Sequence, residues 1–282
     1  MHMGKPQIFA FADEACPQID GQIRAMRRNG LDGLEIRGVD GTNVSAITLE
    51  KAREVRQKMD DNGLKIWSVG SPIGKIRLED SFDAHLDVFR HTLEVADILG
   101  AANMRMFSFY LPGGQDPDRF YGQVVDCLGA MLDVARGSGV TLCHENEKGI
   151  FGDTARRCLR LLEALPELKG VFDPANFVQC GDDTAAGWAI LKDHTYYLHI
   201  KDSLPDGNVV PAGWGAGNVA CIVRDFLDRG GCAMTIEPHL TIFDGLKDLE
   251  QDGNTSAVGR HIYPSADAAF DAACQALKKI LE

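Results

Sequence analysis

Eight short apolar segments alternate along the chain with longer segments of helical periodicity, and this alternation constrains the fold more than any other feature. In the longer segments apolar residues recur three and four positions apart, as in Phe82, Leu86, Phe89 and Leu93. The short segments are typical of buried strands. We predict strands at 7–12, 33–37, 64–69, 103–109, 140–146, 169–173, 196–201 and 233–237.

Eight consecutive strand–helix units favour a closed parallel barrel over an open sheet. An open sheet usually begins with a glycine-rich phosphate turn, but GxGxxG is missing after the first strand and GxxxxGK[ST] is missing from the whole sequence. No linker or low-complexity segment divides the chain. We therefore predict one α/β domain, a (β/α)8 TIM barrel over residues 1–282, with an irregular insertion at 239–265.

The charge and the cysteines exclude several classes of protein. The chain has 29 Lys and Arg against 41 Asp and Glu, a formal net charge of −12, which argues against nucleic acid as a partner. No apolar run approaches the roughly 18 residues that span a bilayer, and the first residues lack a signal-peptide pattern. The eight cysteines include no CxxC pair. We expect a cytoplasmic protein with reduced thiols and no membrane partner.

The last four predicted strands each end in a residue that can bind a metal ion. The carboxyl ends of barrel strands face the same side, so Glu145, Asp173, His199 and Glu237 are expected to converge there. Each alone is more simply a helix cap, a solvated carboxylate or a core histidine. Together, three carboxylates would repel one another without a cation. Oxygen and imidazole donors predict one divalent ion, Mn²⁺ first, with Mg²⁺, Co²⁺ or Zn²⁺ as alternatives.

Four segments carry a family resemblance: HENE at 144–147, FDPAN at 172–176, HIKD at 199–202 and IEPHL at 236–240. With them the chain resembles the xylose isomerase-like TIM-barrel superfamily, in its sugar phosphate isomerase/epimerase branch. The resemblance implies that Glu145, Asp173, His199 and Glu237 hold the metal, that Glu145 and Glu237 are the catalytic acid/base pair, and that the protein is a homo-oligomer. Glu147 lies on the same side of its strand as Glu145 and is the alternative ligand.

The resemblance implies an isomerase or epimerase of a sugar, a keto-polyol or a hydroxy-keto acid. A metal-stabilised enediolate makes the substrate C–H bond acidic, and the face or carbon to which the proton returns decides between epimerisation and isomerisation. Lys201, Asn176, Arg105 and Glu147 are the predicted substrate-binding residues. The glycine turn at 211–217 is a further candidate for holding an anionic or polar sugar end.

The sequence departs from the ketose 3-epimerases of this branch in the residues that grip the sugar. Those enzymes carry a glutamate, a histidine and an arginine where this chain has Phe151, Asn176 and Pro205. The metal and acid/base frame is thus kept while the substrate contacts differ. Two alternatives stay open: a lyase similar to inosose dehydratase, and a sugar-binding barrel without catalysis.

Overall fold

The computed structural model describes residues 5–242 and 262–282, and its centre is a closed barrel of eight parallel strands. This confirms the predicted (β/α)8 TIM barrel. The strands are β1 (Gln7–Ala10), β2 (Gly33–Ile36), β3 (Lys65–Gly70), β4 (Asn103–Met106), β5 (Thr141–Glu145), β6 (Lys169–Phe172), β7 (Thr195–Ile200) and β8 (Ala233–Ile236).

The strands follow one another around the barrel in chain order, and β1 closes it by pairing with both β2 and β8. Phe9 is in register with Gly33 on one side and with Thr235 on the other. The register shifts between Leu34 and Glu35 and again between Gly170 and Val171. Most strands end earlier than predicted. Beyond the end of β4, for example, Phe109 has a φ of 65° and the chain leaves the sheet.

Helices connect the strands and cover the outside of the barrel. Several begin at a side chain that accepts a backbone N–H group, including Thr48, Ser81 and Thr154. The helices are α1 (Ile19–Asn29), α2 (Leu49–Asp61), α3 (Phe82–Leu99), α4 (Tyr121–Ala135), α5 (Ala155–Ala164), α6 (Pro174–Gln179), α7 (Thr184–Leu191), α8 (Val219–Asp228) and α9 (Ala266–Leu281).

Two short hairpins were not predicted, because strands of two residues are too short to show a periodic pattern. One pairs Gly38–Val39 with Thr42–Asn43, and the other pairs Asp202–Ser203 with Val209–Val210. Most of the predicted insertion, residues 243–261, lies outside the described residues. Among the helices that are described, none has the length and apolar character needed to cross a membrane.

The inside of the barrel is built in layers, and this positions the site. Phe9, Cys143, Val171, Tyr197 and Ala233 form a buried apolar cluster in the barrel interior. Side chains alternate between the two faces of a strand. The residue two positions after each member of this cluster therefore also points into the barrel, one layer nearer the carboxyl ends. On β5 this residue is Glu145 and on β7 it is His199. The apolar cluster is therefore the floor of a layer of ionisable groups.

Candidate functional site

The four residues predicted to bind a metal lie together at the carboxyl ends of β5 to β8. One ligand atom from each of Glu145, Asp173, His199 and Glu237 lies within 4.8 Å of the others, and all four residues are buried. We call these four residues the interior cluster. Glu147, the alternative on β5, is not among them. It lies two positions further along the chain and pairs with Lys75.

His199 is held between carboxylates on opposite sides of its ring. Its Nδ1 lies 3.0 Å from Glu145 Oε1 and 3.6 Å from Glu237 Oε2, while Nε2 lies 3.0 Å from Glu35 Oε2. Burial alone would lower the pKa of His199, but Glu145 and Glu35 raise it well above its usual value. When the ring is neutral and its Nε2–H group donates to Glu35, the lone pair of Nδ1 faces Glu145 and Glu237. That is the form in which histidine binds a metal.

Glu35 on β2 is positioned to fix this ring orientation. Its Oε1 accepts hydrogen bonds from Tyr197 Oη at 2.9 Å and Ser68 Oγ at 3.2 Å, and its Oε2 faces His199. The side chain is fully buried. Burial raises the pKa of Glu35, but the facing His199 outweighs it and the pKa is lowered overall. An ionised Glu35 therefore orients His199 from the side of the ring away from the interior cluster.

Two basic side chains contact the carboxylates of the interior cluster. Lys201 Nζ lies 2.9 Å from Glu237 Oε2 and 3.0 Å from Asp173 Oδ2, and Arg105 Nη1 lies 3.2 Å from Glu145 Oε2. Burial raises the pKa of Glu237, but Lys201 and the nearby histidines lower it well below its usual value. Burial raises the pKa of Asp173 to about 7 against the lowering effect of Lys201.

The interior cluster fits a divalent ion by its donor set and by its unsatisfied oxygens. Glu145 Oε2 and Asp173 Oδ2 are buried and accept no hydrogen bond from any residue in the described ranges. The contacts of Arg105 and Lys201 to these two oxygens are close but lack hydrogen-bond alignment. Each of these oxygens thus faces one cationic side chain but accepts no aligned donor, so its lone pairs can still coordinate a metal ion. Carboxylate and imidazole donors without a thiolate suit Mn²⁺, Mg²⁺, Co²⁺ or Zn²⁺.

A second group of charged residues supports Glu237 from the start of the barrel. Arg37 Nη1 lies 3.3 Å from Glu237 Oε1, and the same guanidinium bonds to Asp13 and Glu14 at 3.0 Å. Glu14 also accepts the backbone N–H of His239 at 2.6 Å, and burial raises its pKa to about 8. The sequence reasoning missed Asp13 and Glu14. They come three and four residues after the end of β1, so a strand-end pattern extended by a few residues would include them.

A small cavity opens beside the interior cluster. All four predicted substrate-binding residues line it, together with the two proposed acid/base residues: Lys201, Asn176, Arg105, Glu147, Glu145 and Glu237. Asn176 Nδ2 also donates to Glu145 Oε1 at 3.3 Å and to the carbonyl oxygen of Asn146 at 2.8 Å. Asn176 therefore helps to fix Glu145 as well as facing the cavity.

The cavity is also lined by Lys75 and Lys148, on either side of Glu147. Burial raises the pKa of Glu147, but Lys75 and Lys148 lower it to about 2. Lys75 follows a turn at Gly74, where φ is +85°. The N–H group of Gly74 donates to His85 Nε2 at 2.8 Å. A Cβ atom at Gly74 would lie 2.1 Å from the Phe107 carbonyl oxygen, so only glycine fits there. This turn places the Lys75 side chain in the cavity wall.

The predicted glycine turn at 211–217 binds a side chain of the protein itself. Asp202 accepts the backbone N–H groups of Gly213 and Gly215 through Oδ2 and that of Gly217 through Oδ1, each at 2.9 Å. These three donors are thus already used by a carboxylate that follows β7. The turn does not offer them to an anionic sugar end.

Solved structures with the same fold include enzymes and a zinc-bound protein. An IolI protein with a bound zinc atom superposes with a TM-score of 0.73 at 14% identity, over 98% of both chains. A probable 3-DHS dehydratase from Bacillus anthracis gives 0.73 at 15% identity, over 97% of this chain and 98% of that one. D-Psicose 3-epimerase from Clostridium cellulolyticum H10, solved with D-tagatose, gives 0.72 at 14% identity over 98% of both. At these identities the likeness concerns the fold.

Sequence comparison defines the family independently of these superpositions. No curated protein matches the chain in sequence. The family model described as xylose isomerase-like TIM barrel matches residues 23–252, which include all four residues of the interior cluster. The chain therefore belongs to the xylose isomerase-like TIM barrel family, as its strand-end motifs predicted.

Proposed function

We propose that this protein is a metal-dependent isomerase or epimerase of a sugar, a keto-polyol or a hydroxy-keto acid, acting by proton transfer between carboxylates and substrate carbon. One observation carries the proposal: Glu145, Asp173, His199 and Glu237 present ligand atoms within 4.8 Å of one another, buried at the carboxyl end of the barrel and beside a small cavity. Active sites of TIM-barrel enzymes lie at this end of the barrel.

Glu145, Asp173, His199 and Glu237 would hold the ion, and we propose Mn²⁺ as the preferred one. When bound, the ion supplies positive charge that stabilises negative charge on the carbonyl and neighbouring hydroxyl oxygens of the substrate. Glu35 orients His199 in its ligand form, as described above. Asn176 fixes Glu145 from the other side.

Glu145 and Glu237 are proposed as the two groups that remove and return the proton. Glu145 ends β5 and Glu237 follows β8, and these strands are separated in the barrel by β6 and β7, so the two side chains approach the cavity from different directions. Glu237 is held ionised by Lys201 and can accept a proton. Return of the proton by the other carboxylate to the opposite face of the same carbon inverts it, whereas return to the neighbouring carbon exchanges ketose and aldose.

Arg105 and Lys201 are proposed to bind substrate oxygens while keeping the two glutamates in place. Each lines the cavity and contacts a glutamate of the acid/base pair. We also propose that the protein is a homo-oligomer and that it is located in the cytoplasm. Size-exclusion chromatography with light scattering measures the oligomeric state, and cell fractionation measures the location.

A dehydratase is the second candidate, and one observation favours it: a probable 3-DHS dehydratase is among the structures that superpose over nearly the whole chain. The same proton removal leads to loss of water when an acid protonates a β-hydroxyl group. Mass spectrometry separates the two reactions, because isomerisation conserves the mass and dehydration removes one water.

Proton exchange with solvent tests the proposal directly. The protein is incubated in heavy water with Mn²⁺ and with a panel of ketoses, keto acids and inososes, and deuterium in the recovered compounds is measured by mass spectrometry. We expect deuterium in at least one compound, loss of the exchange with a chelator, and its return when Mn²⁺ is added back. Titration with Mg²⁺, Co²⁺ and Zn²⁺ ranks the ions.

Two results would contradict the proposal. Full exchange in metal-free protein would exclude a role for the ion, and a bound sugar that takes up no deuterium would favour the sugar-binding barrel without catalysis. The matched control is the exposed Glu167→Gln variant, which loses a carboxylate far from the interior cluster and should exchange at the wild-type rate.

A further inference from the structure

The wall of the cavity beside the interior cluster has an excess of positive charge. Lys75 Nζ lies 3.0 Å from Glu147 Oε2, and Lys148 Nζ lies 3.9 Å from Glu147 Oε1. One carboxylate thus faces two ammonium groups. Lys148 also donates to Gln179 Oε1 at 2.6 Å, but this amide is neutral and does not offset the charge.

We propose that the substrate carries a carboxylate group and that Lys75 and Lys148 bind it. This inference rests on the function proposed above and narrows its substrates from sugars, keto-polyols and hydroxy-keto acids to those that carry a carboxylate, namely sugar acids and hydroxy-keto acids. The ion and the acid/base pair would act on the carbonyl end of the substrate, and the two lysines would hold its acidic end.

The surroundings of the two lysines make this excess charge effective. The exposed fraction of the side chain is 3% for Lys75, 15% for Glu147 and 17% for Lys148, so water screens the charges weakly. Lys75 also lies over the Phe107 ring, 4.4 Å from its centroid, which helps to keep an ammonium group at this depth. The local charge is positive here, although the chain as a whole has a net charge of −12.

The other cations of the cavity already face the interior cluster. Lys201 contacts Glu237 and Asp173, and Arg105 contacts Glu145, all of which are proposed metal ligands. Lys75 and Lys148 are different, because the carboxylate between them is not part of the cluster. The excess there is one unit, which matches a carboxylate better than a phosphate ester of charge about −1.5 to −2.

A matched set of ligands tests the inference by binding, without reference to turnover. Calorimetry of the Mn²⁺-loaded protein compares D-fructose, D-fructuronate and D-fructose 6-phosphate, which differ only at C6, and then D-tagatose with D-tagaturonate. We expect the sugar acid of at least one pair to bind about tenfold or more tightly than its neutral partner, and the phosphate to bind more weakly than the sugar acid.

Variants on both sides of the charge balance sharpen the test. Lys148→Met should remove the preference for the sugar acid, Lys148→Arg should retain it, and Glu147→Gln should increase it by leaving both lysines without a carboxylate. Lys148 is preferred to Lys75 for substitution because it is less buried. Lys279→Met, on the exposed side of α9, makes the same change in net charge away from the cavity and should alter nothing.

Several outcomes would overturn the inference. These are equal or tighter binding of the neutral sugars, tightest binding of the phosphate, no binding of any carboxylate ligand, or a preference that survives Lys148→Met. Failure here is distinct from failure of the proposed function. Deuterium exchange into neutral ketoses alone would support the proposed isomerase and contradict the carboxylate substrate. Tight binding of a sugar acid without exchange would support the carboxylate site and contradict the proposed isomerase.

Discussion

The interior cluster and the Lys75–Glu147–Lys148 wall differ in how their charges are balanced. In the cluster, three carboxylates and a histidine face one another in a buried space, with Arg105 and Lys201 at their outer oxygens. In the wall, two lysines share one carboxylate at the edge of the cavity. The first region has buried carboxylate oxygens that accept no hydrogen bond, and the second has more ammonium groups than carboxylates. The difference indicates where a cation and where an anion would be bound.

The two regions also differ in their support. The cluster rests on the carboxyl ends of β5 to β8 and is held from behind by Glu35 of β2 and by Arg37, the residue after β2, so it is part of the barrel itself. The wall belongs to the loops that follow β3 and β5, and it depends on a glycine turn and on His85 of α3. We therefore expect substitutions in the cluster to affect chemistry and substitutions near the wall to affect binding and local stability.

Removing a carboxylate from the cluster should have the largest effect. Glu237→Gln keeps the size of the side chain but removes a proton acceptor and a charged ligand. We expect the rate of solvent deuterium exchange to fall by about 10²- to 10⁴-fold, the range typical of a general acid or base, while the protein stays folded at a lower melting temperature because Lys201 and Arg37 lose a buried charge partner. Unchanged exchange in this variant would refute the role of Glu237.

Changing the support of the cluster should have an intermediate effect. Glu35→Gln keeps a hydrogen-bond acceptor for His199 but removes its charge, so the ring becomes a weaker ligand. We expect the affinity for Mn²⁺, measured by calorimetry, to fall by about 10- to 100-fold. Exchange should recover at saturating Mn²⁺.

The control for Glu35 is Tyr197→Phe, which removes one hydrogen bond to Glu35 and leaves its carboxylate in place. It should weaken Mn²⁺ binding less than Glu35→Gln. Equal Mn²⁺ affinity in the Glu35→Gln variant and the wild type would show that the carboxylate only fills space.

The smallest effect is expected at the support of the wall. Burial lowers the pKa of His85 below 6.5, and its Nε2 accepts the N–H of Gly74 only while the ring is neutral. The unfolded chain therefore binds more protons than the folded chain as the pH falls below about 6.5, and the free energy of unfolding decreases there. The loss should be about 1 kcal/mol, the scale of one hydrogen bond.

Urea unfolding at pH 7.5 and pH 5.5 measures this loss, with His85→Gln as the reference that cannot titrate. The free energy of unfolding should decrease more for the wild type than for the variant between pH 7.5 and pH 5.5. An identical pH dependence in both proteins would remove His85 from this role.

The positions of the cluster residues could be predicted because they depend on local pattern. A buried strand that ends in a polar residue predicts that residue at the carboxyl end of the barrel, and this holds for Glu145, Asp173, His199 and Glu237. Asp13 and Glu14 lie three and four residues beyond the end of β1, past the position that this pattern marks.

The contacts between residues far apart in the chain could not be predicted. Glu35 and His199 are 164 positions apart, and their contact depends on the tilt of the strands and on the register shift next to Glu35. The sharing of Glu147 by Lys75 and Lys148 likewise depends on two separate loops. Sequence pattern gives the face and the height of a side chain in a barrel, but not its partner across the barrel.

The turn that Asp202 organises has a consequence for the strand before it. Cβ atoms at Gly215 and Gly217 would lie 2.3 and 2.7 Å from Asp202 Oδ1, so the backbone wraps this carboxylate tightly. The segment after β7 thus keeps one conformation without help from a ligand. Lys201 comes directly before Asp202 and its ammonium group is held by Glu237 and Asp173, so binding a substrate there costs little additional conformational entropy.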